Sequence, residues 1–291
     1  MDDLIIYAAM PVFTVTMLLE FWALKRRANP KDKGYERRDS AASLSMGLGS
    51  LLVNAGMDLV LIWTASRLFA FAPWEIPRTW WGWLLAFAMV DLAFYWLHRF
   101  HHQVRFMWAS HINHHSSQHY NLSTALRQSW TEPLTGLPFY LPVALLGVPP
   151  EMMMVCWAIN LLYQYWVHTE TIQRLGAFEW VFNTPSHHRV HHGSDALYLD
   201  RNYAGVFIIW DRLFGTYEPE RARPTYGLVK NIHTFNPLRI AFHEWAAIGR
   251  SLASATSWRQ RWMVFAGPPG WSADGSTQTA PELRAQALQD R

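Results

Sequence analysis

The sequence predicts an all-α fold, an integral membrane helical bundle of about four to five spans or hairpin halves with a cytoplasmic histidine-rich cap. Three observations predict it. Hydrophobic residues make up 51% of the 291 and charged residues only 16%, whereas a soluble domain carries roughly 25% charge. Apolar runs as long as a bilayer is thick recur through the first half of the chain. Fourteen histidines stand beside a single cysteine, Cys156, so no internal disulfide can form. Such a composition excludes a disordered chain and a nucleic-acid-binding stripe, and no nucleic-acid partner is expected.

Residues 4–24 are apolar apart from Glu20 and a few hydroxyls, about the length a bilayer core requires. Lys25-Arg26-Arg27 follows at once, with Lys31, Lys33, Arg37 and Arg38 in the same loop. A cleavable signal peptide would carry its basic residues ahead of the apolar run, so this is read as an uncleaved first span. The excess of Lys and Arg places the loop in the cytoplasm and the N-terminus outside. A second span, 44–71, contains Gly47, Gly49, Asn54, Gly56 and Asp58 and is expected to pack against other helices. After a short outer connection, Trp80, Trp81 and Trp83 form an interfacial belt at the start of a third span, 80–98.

Segments 134–148 and 152–167 are a fourth and fifth apolar stretch joined at Pro149-Pro150-Glu151. The fourth is short and holds Pro138 and Pro142, so it reads as a crossing or as half of a hairpin. Beyond His168 no segment is long enough to span. Residues 169–265 are expected to form the cap, with amphipathic helices resting on the membrane, so that 1–265 is one domain. The Pro, Gly, Ser and Thr of 266–291 predict a disordered polar tail on which the site does not depend.

The histidines fall in four places. His98 and His102 are one helical turn apart in a stretch free of Gly and Pro. His111, His114 and His115 follow the i, i+3, i+4 spacing, with Ser110 expected to cap their helix. His188, His191 and His192 repeat that spacing after Thr184-Pro185, a helix start, and before Gly193, a stop. His168 stands alone at the end of the last apolar segment. The span count brings all four places to one membrane face. Neutral imidazole is a good ligand for iron, zinc, copper or nickel, and protonated rings brought together would repel. Two octahedral metals offer about twelve positions, so nine histidines leave about three open for dioxygen chemistry.

His101, His119, His233 and His243 read as ordinary polar or interfacial residues, and Arg99, Arg127 and Arg189 as interfacial or headgroup contacts. His187 faces away from the third cluster and is expected beside the ligands, as is Asp91, two turns before His98, whose carboxylate is costly in a span unless paired. Glu170, Asp195 and Asp200 are further candidates to accept an imidazole N–H. A metal transporter, the reading of another class, predicts ligands near the bilayer midplane and an acidic path. A haem cytochrome needs single axial histidines on facing helices.

The runs HRFHH (98–102), HINHH (111–115) and HRVHH (188–192) beside apolar hairpins resemble the fatty acid hydroxylase/sterol desaturase superfamily of integral-membrane di-iron oxygenases. WASHINHHSSQHYNLSTALRQS (108–129), YQYWVHTE (163–170), NTPSHHRVHHG (183–193) and NYAGVFIIWDRLFGTY (202–217) are similar to its alkylglycerol monooxygenase branch. The resemblance implies two iron ions, for which zinc can substitute, and O2-dependent hydroxylation of a lipid alkyl chain drawn from the bilayer. For this branch it implies a glyceryl ether substrate and tetrahydrobiopterin as the external electron donor. Desaturation, or hydroxylation of a sterol, aminolipid or fatty acyl chain, is the alternative within the superfamily. Asn121 and Asn202 lie in the similar strings and join the residues expected around the ligands. Gln103 and Gln118 stand where the branch carries acidic residues, a departure that bears on pterin and ether more than on metal.

Overall fold

The computed structural model describes residues 2–27, 29 and 32–290, so Lys31 of the first basic loop lies outside the described residues. These contain no strand, only the isolated bridges Phe182–Phe207 and Gly193–Tyr226. Three helices are long and apolar enough to cross a membrane: α1 (Asp2–Arg27), α2 (Arg37–Phe69) and α3 (Trp80–Gln103). Each starts or ends where the chemistry dictates. Basic residues close α1. The Glu36 carboxylate accepts from Asp39 N at 2.7 Å to open α2, and Thr79 Oγ1 accepts from Gly82 N at 3.3 Å to open α3.

Helix α1 turns Val12, Val15, Leu18 and Leu19 outward and Glu20 inward. That carboxylate accepts from Tyr35 Oη at 2.5 Å and Leu122 N at 2.8 Å, and from Thr169 Oγ1, so the one acid in the first apolar run is fully partnered. Gly47 and Gly49 in α2 allow close packing: a Cβ on Gly47 would meet the Leu126 carbonyl at 2.7 Å and one on Gly49 the Trp130 ring at 2.5 Å.

Helix α3 is the most buried of the three. It is flanked by α6 (Glu132–Leu145) and α7 (Pro150–Trp166), and Val90, Ala93 and Leu97 join Tyr140, Val143, Met152 and Met153 in one core. At 1.5 Å per residue, the 14 and 17 residues of α6 and α7 rise about 21 and 26 Å, short of the ~30 Å hydrocarbon core. Even so, their joining turn meets the α2–α3 connection, where Ile76 N donates to Gly147 O at 2.7 Å and Trp74 Nε1 to Leu146 O at 3.0 Å.

Beyond α3 the chain reverses. Val104 is extended (φ −123°, ψ 120°), and short α4 (Arg105–Trp108) and α5 (Ile112–His115) fold back over the end of α3. The reversal is fixed from outside, by Arg105 N donating to Gly267 O at 2.9 Å and Arg105 Nε to Glu244 Oε1 at 2.8 Å. His111, not Ser110, occupies the cap position of α5, and Ser110 Oγ reaches Thr131 O instead. Helices α8 (Pro185–His191), α9 (Ile209–Leu213), α10 (Pro237–Ser254) and α11 (Trp258–Ala266) occupy the region expected to form the cap.

The segment expected to be a disordered tail carries α12 (Ala280–Gln289), opened by a capping box between Thr279 and Glu282. Arg284 ties it down, donating to Leu197 O and pairing with Glu218 Oε2 at 2.7 Å. Composition predicted disorder because the segment has little apolar surface of its own; polar anchors to the cap replace it.

Candidate metal centre

Nine buried histidines meet where α3 and α7 end. They form two adjoining groups, His98, His102, His111, His115 and His191 in one, His114, His168, His188 and His192 in the other, each with its ligand-capable atoms within 4.8 Å of one another. The helical spacing explains the division. On α5, His111 and His115 are i and i+4 and face the first group, while His114 turns to the second. On α8, His188 and its i+4 partner His192 face the second group and His191 the first. The groups abut where the His115 and His192 rings stack, centroids 4.3 Å apart.

In the first group Nε2 of His111 lies 3.0 Å from that of His98 and 3.2 Å from that of His115, which lies 3.1 Å from Nε2 of His191. In the second, Nε2 of His168 lies 3.1 Å from that of His114 and 2.9 Å from that of His188, which lies 3.2 Å from Nε2 of His192. Two imidazole nitrogens each about 2.1 Å from one ion and about 90° apart are about 3.0 Å from each other. The donor set therefore fits a metal at each group.

Backbone carbonyls set the tautomers. His98 Nδ1 donates to Tyr203 O at 2.8 Å, His168 Nδ1 to Gln164 O at 2.8 Å and His191 Nδ1 to Arg201 O at 3.0 Å. A carbonyl only accepts, so in these three rings the proton sits on Nδ1 and the Nε2 lone pair faces the group. His102 Nδ1 lies 3.4 Å from the Asp200 carboxylate, and its Nε2 is buried without a hydrogen-bond partner. Burial, with neighbouring imidazoles adding to it, holds His111, His114, His115, His188, His191 and His192 well below the ordinary histidine range, and burial pushes His168 down to about 4. These rings are neutral, the form that binds metal.

The residues expected beside the ligands act at one remove. Asp91 touches no histidine; it accepts from Asn160 Nδ2 (2.6 Å), Val206 N (2.9 Å), Phe207 N (3.0 Å) and Trp210 Nε1 (2.9 Å), pinning to α3 the loop that offers the Tyr203 carbonyl. A side chain at Gly205 would strike Asp91 Oδ1 at 3.0 Å and Asn160 Oδ1 at 2.8 Å. Asn202, at φ 55°, donates from Nδ2 to His187 O (3.1 Å) and Glu218 O (2.8 Å), so it staples the same loop to α8. Asp211 supports it from below, accepting from Tyr203 N and Ala204 N at 2.8 Å.

Glu170 accepts from Lys33 N at 2.9 Å and pairs with Arg223, and Asn121 Nδ2 donates to Gly34 O at 2.8 Å, so both hold the 32–36 segment rather than a ligand. Asp195 accepts from Thr225 N at 2.6 Å. His187 belongs to neither group; its Nε2 is 4.0 Å from Glu179 and its ring 5.5 Å from Tyr217. Arg127 and Arg189 are buried and paired, with Asp39 and Glu220, not headgroup contacts. His101 is buried too, its Nε2 2.8 Å from Thr135 Oγ1. A third grouping of His101, His111 and Glu132 shares His111 with the first group.

A cavity of about 1080 Å3 opens onto the centre, with His102, His115, His191 and His192 in its wall. Trp108, Ile112, α10 and the 227–232 loop line it, and the segment from Pro268 to Leu283 closes another side.

Comparison with known proteins agrees with this geometry. The fatty acid hydroxylase family profile matches residues 83–216, which contain all nine histidines. Alkylglycerol monooxygenase of Homo sapiens is 42% identical over 96% of this chain and 64% of its own length. Those of Xenopus tropicalis and Danio rerio are 42% and 43% identical over 84% and 80% of this chain, covering 55% and 53% of their own lengths. The chain thus spans between about half and two thirds of the curated relatives it matches. No solved structure matches it. With the three histidine boxes of its helical core folded into two histidine groups at the end of apolar helices, the chain belongs to the fatty acid hydroxylase family.

Proposed function

We propose that the protein is a membrane-bound di-iron, O2-dependent hydroxylase of a lipid alkyl chain, with a glyceryl ether as substrate. One observation carries the reading: two adjoining groups of buried imidazoles reach, through His102, His115, His191 and His192, the wall of a cavity large enough for a lipid. His98, His102, His111, His115 and His191 would hold one iron and His114, His168, His188 and His192 the other. Five and four ligands leave coordination positions open, as dioxygen chemistry requires and a structural site does not. Bound iron supplies the activation of O2, the chemistry no side chain here can perform.

The overall balance is R–H + O2 + 2 e− + 2 H+ → R–OH + H2O, so an external two-electron donor is required; the similarity to alkylglycerol monooxygenases favours a reduced pterin. Hydroxylation at the carbon next to an ether oxygen gives a hemiacetal, which breaks to a fatty aldehyde and glycerol.

The chain's own contribution is positional. The Tyr203, Gln164 and Arg201 carbonyls hold Nε2 of three rings toward the ions, and Trp108 and Ile112 keep the reacting end of the cavity apolar. The basic residues after α1 favour an orientation with the N-terminus outside and the centre at the cytoplasmic face. The α6–α7 hairpin completes the bundle, and residues 1–265 act as one domain. A transporter reading is disfavoured because the histidines gather at the helix ends rather than along a path through the bundle.

Purified protein is expected to hold about two iron ions per chain, and His114→Ala or His191→Ala to lower that content and abolish product. Membranes given O2, a reduced pterin and a glyceryl ether should release the fatty aldehyde, read by lipid mass spectrometry. A folded wild-type protein that takes up no iron, or full turnover by either variant, would refute the assignment.

A further inference from the structure

We infer that Tyr95 is a redox-active phenol, an outlet through which an oxidising equivalent leaves the histidine centre when no lipid occupies the cavity. This rests on the hydroxylase reading above. A centre that activates O2 without substrate leaves an oxidant among its own imidazoles and beside Trp108, a side reaction the protein has to contain.

Three aromatic rings join the centre to the surface. Tyr203 adjoins the first histidine group, its ring centroid 5.4 Å from that of His102, 6.0 Å from His98 and 6.1 Å from His191. Tyr95 comes next, edge-on to Tyr203 at 6.2 Å, and Trp96 follows at 5.5 Å from Tyr95. All these separations are within the range of ring contact. Tyr203 and Tyr95 are fully buried and Trp96 is partly exposed. None of the three lines the cavity, so the path avoids the space the lipid would fill.

Hydrogen bonds decide which ring can rest in the oxidised form. Oxidation makes a phenol strongly acidic, so a tyrosine yields an electron readily only where its proton has an acceptor. The Tyr203 hydroxyl is buried without a hydrogen-bond partner among the described residues, so this ring relays an electron but does not stay oxidised. Tyr95 has an acceptor. Its Oη lies 2.8 Å from Thr216 Oγ1, which donates to Asp211 Oδ1 at 2.6 Å. Thr216 spends its single proton on the carboxylate, so at the first contact the phenol donates. Both links are short enough for proton transfer. Burial pushes the Asp211 carboxyl up to about 6, which makes it a better proton acceptor. Arg99 Nη1 donates to the Tyr95 oxygen at 3.2 Å, and its guanidinium lies 5.3 Å from the Trp96 ring. A cation there disfavours a positively charged ring, so electron and proton leave Tyr95 together.

The step balances. One electron passes from Tyr95 through Tyr203 to the O2-derived oxidant at the centre. The phenol proton moves to Thr216 as the Thr216 proton moves to Asp211, leaving a neutral phenoxyl and a protonated carboxyl. A one-electron reductant in solution, such as ascorbate, returns the electron through Trp96, and the proton comes back from Asp211.

The test uses the iron-loaded full chain in lipid-free detergent micelles, reduced with dithionite, freed of the excess and exposed to O2. Freeze-quench paramagnetic resonance and peptide mass spectrometry are the readouts. A tyrosyl radical is expected in the wild type, its hyperfine pattern altered by ring-deuterated tyrosine and its signal lost in Tyr95→Phe. Thr216→Val, which breaks the relay, should lose the signal, whereas Thr216→Ser, which keeps a hydroxyl, should retain it. In Tyr95→Phe and Thr216→Val, oxidation of Trp108 and of the clustered histidines should rise several-fold. A wild type without a tyrosyl signal, a signal unchanged by Tyr95→Phe, or equal signals in the two Thr216 variants overturns the inference. Failure of the reduced wild type to take up O2 overturns the hydroxylase reading and this inference with it. Uptake of O2 without a radical that depends on Tyr95 overturns the inference alone.

Discussion

His98 and His111, on different helices, bring their Nε2 atoms within 3.0 Å while the opposite nitrogen of His98 is held by the Tyr203 carbonyl at 2.8 Å. One ring is thus aimed by a loop more than a hundred residues away in sequence, and that loop is itself held by Asp91. The centre depends on this relay, and its removal has a definite consequence.

Asp91→Ala should lower iron content without touching a ligand. The substitution strands four donors, three of them on the 206–210 loop, and each unsatisfied buried donor costs about 1–3 kcal/mol. The expected result is a lower unfolding temperature and well under two irons per chain, with Asp91→Asn intermediate because the amide keeps one acceptor oxygen. Metal analysis of folded, monodisperse protein decides it; normal loading in the alanine variant would show that Tyr203 is positioned by other contacts.

The metal-free protein should lose stability as pH falls. His168 titrates near 4 in the folded state because it is buried, against about 6.5 in an unfolded chain. Between these values the unfolded state binds more protons, so unfolding free energy rises with pH through this window and is lost on acidification from about 6.5 toward 4. The other cluster histidines outside α3 are shifted in the same direction. Chelator-treated protein followed by thermal unfolding from pH 7.5 to 5 should show a falling midpoint, and iron should shift the fall to lower pH. A flat profile for the metal-free form would argue against buried neutral rings.

Arg127→Ala should be among the more destabilising single changes outside the ligand set. Its guanidinium is 1% exposed, donates to Ser43 Oγ and Ser116 Oγ at 3.1 Å each and pairs with Asp39, joining the start of α2 to the turn after α5. Truncation leaves the Asp39 carboxylate buried without its cation, a loss of about 3–5 kcal/mol. Arg127→Lys should recover only part, since one ammonium cannot reproduce the guanidinium fork. Chemical denaturation in detergent reads the difference, and a wild-type midpoint in the alanine variant would refute the role.

The gathering of the nine histidines was legible in the sequence because side chains on one helix face must recur at i, i+3 and i+4. The three apolar helices were legible for a similar reason, as bilayer thickness fixes their length. What aims the rings was not. The acceptors for His98, His168 and His191 are main-chain carbonyls, and a carbonyl leaves no mark in the residue that bears it. Asp91 stood out as a costly acid, but its partners are backbone N–H groups of a loop 115 residues on, so proximity to His98 suggested the wrong contact. The reversal at Val104 left no mark in the local sequence because its anchor, Arg105 N bound to Gly267 O, lies far along the chain.

The C-terminal segment misled composition most, and it supplies the last prediction. Residues between Pro268 and Leu283 form one side of the cavity that reaches His102, His115, His191 and His192. Arg284 fastens the segment to Leu197 O and Glu218. Removing everything after Gly267 leaves α1, α2, α3 and both ligand groups intact but opens that wall to water. The truncated protein should still fold and load iron, yet surrender it to a water-soluble chelator several times faster and bind lipid more weakly. Arg284→Ala should move both readouts in the same direction by a smaller amount, because capping of α12 by Thr279 and Glu282 survives while its anchor to the cap is lost. Chelation followed by absorbance, beside wild type at equal iron loading, measures the effect. Identical release rates for the three proteins would mean that water reaches the centre by a route this segment does not guard.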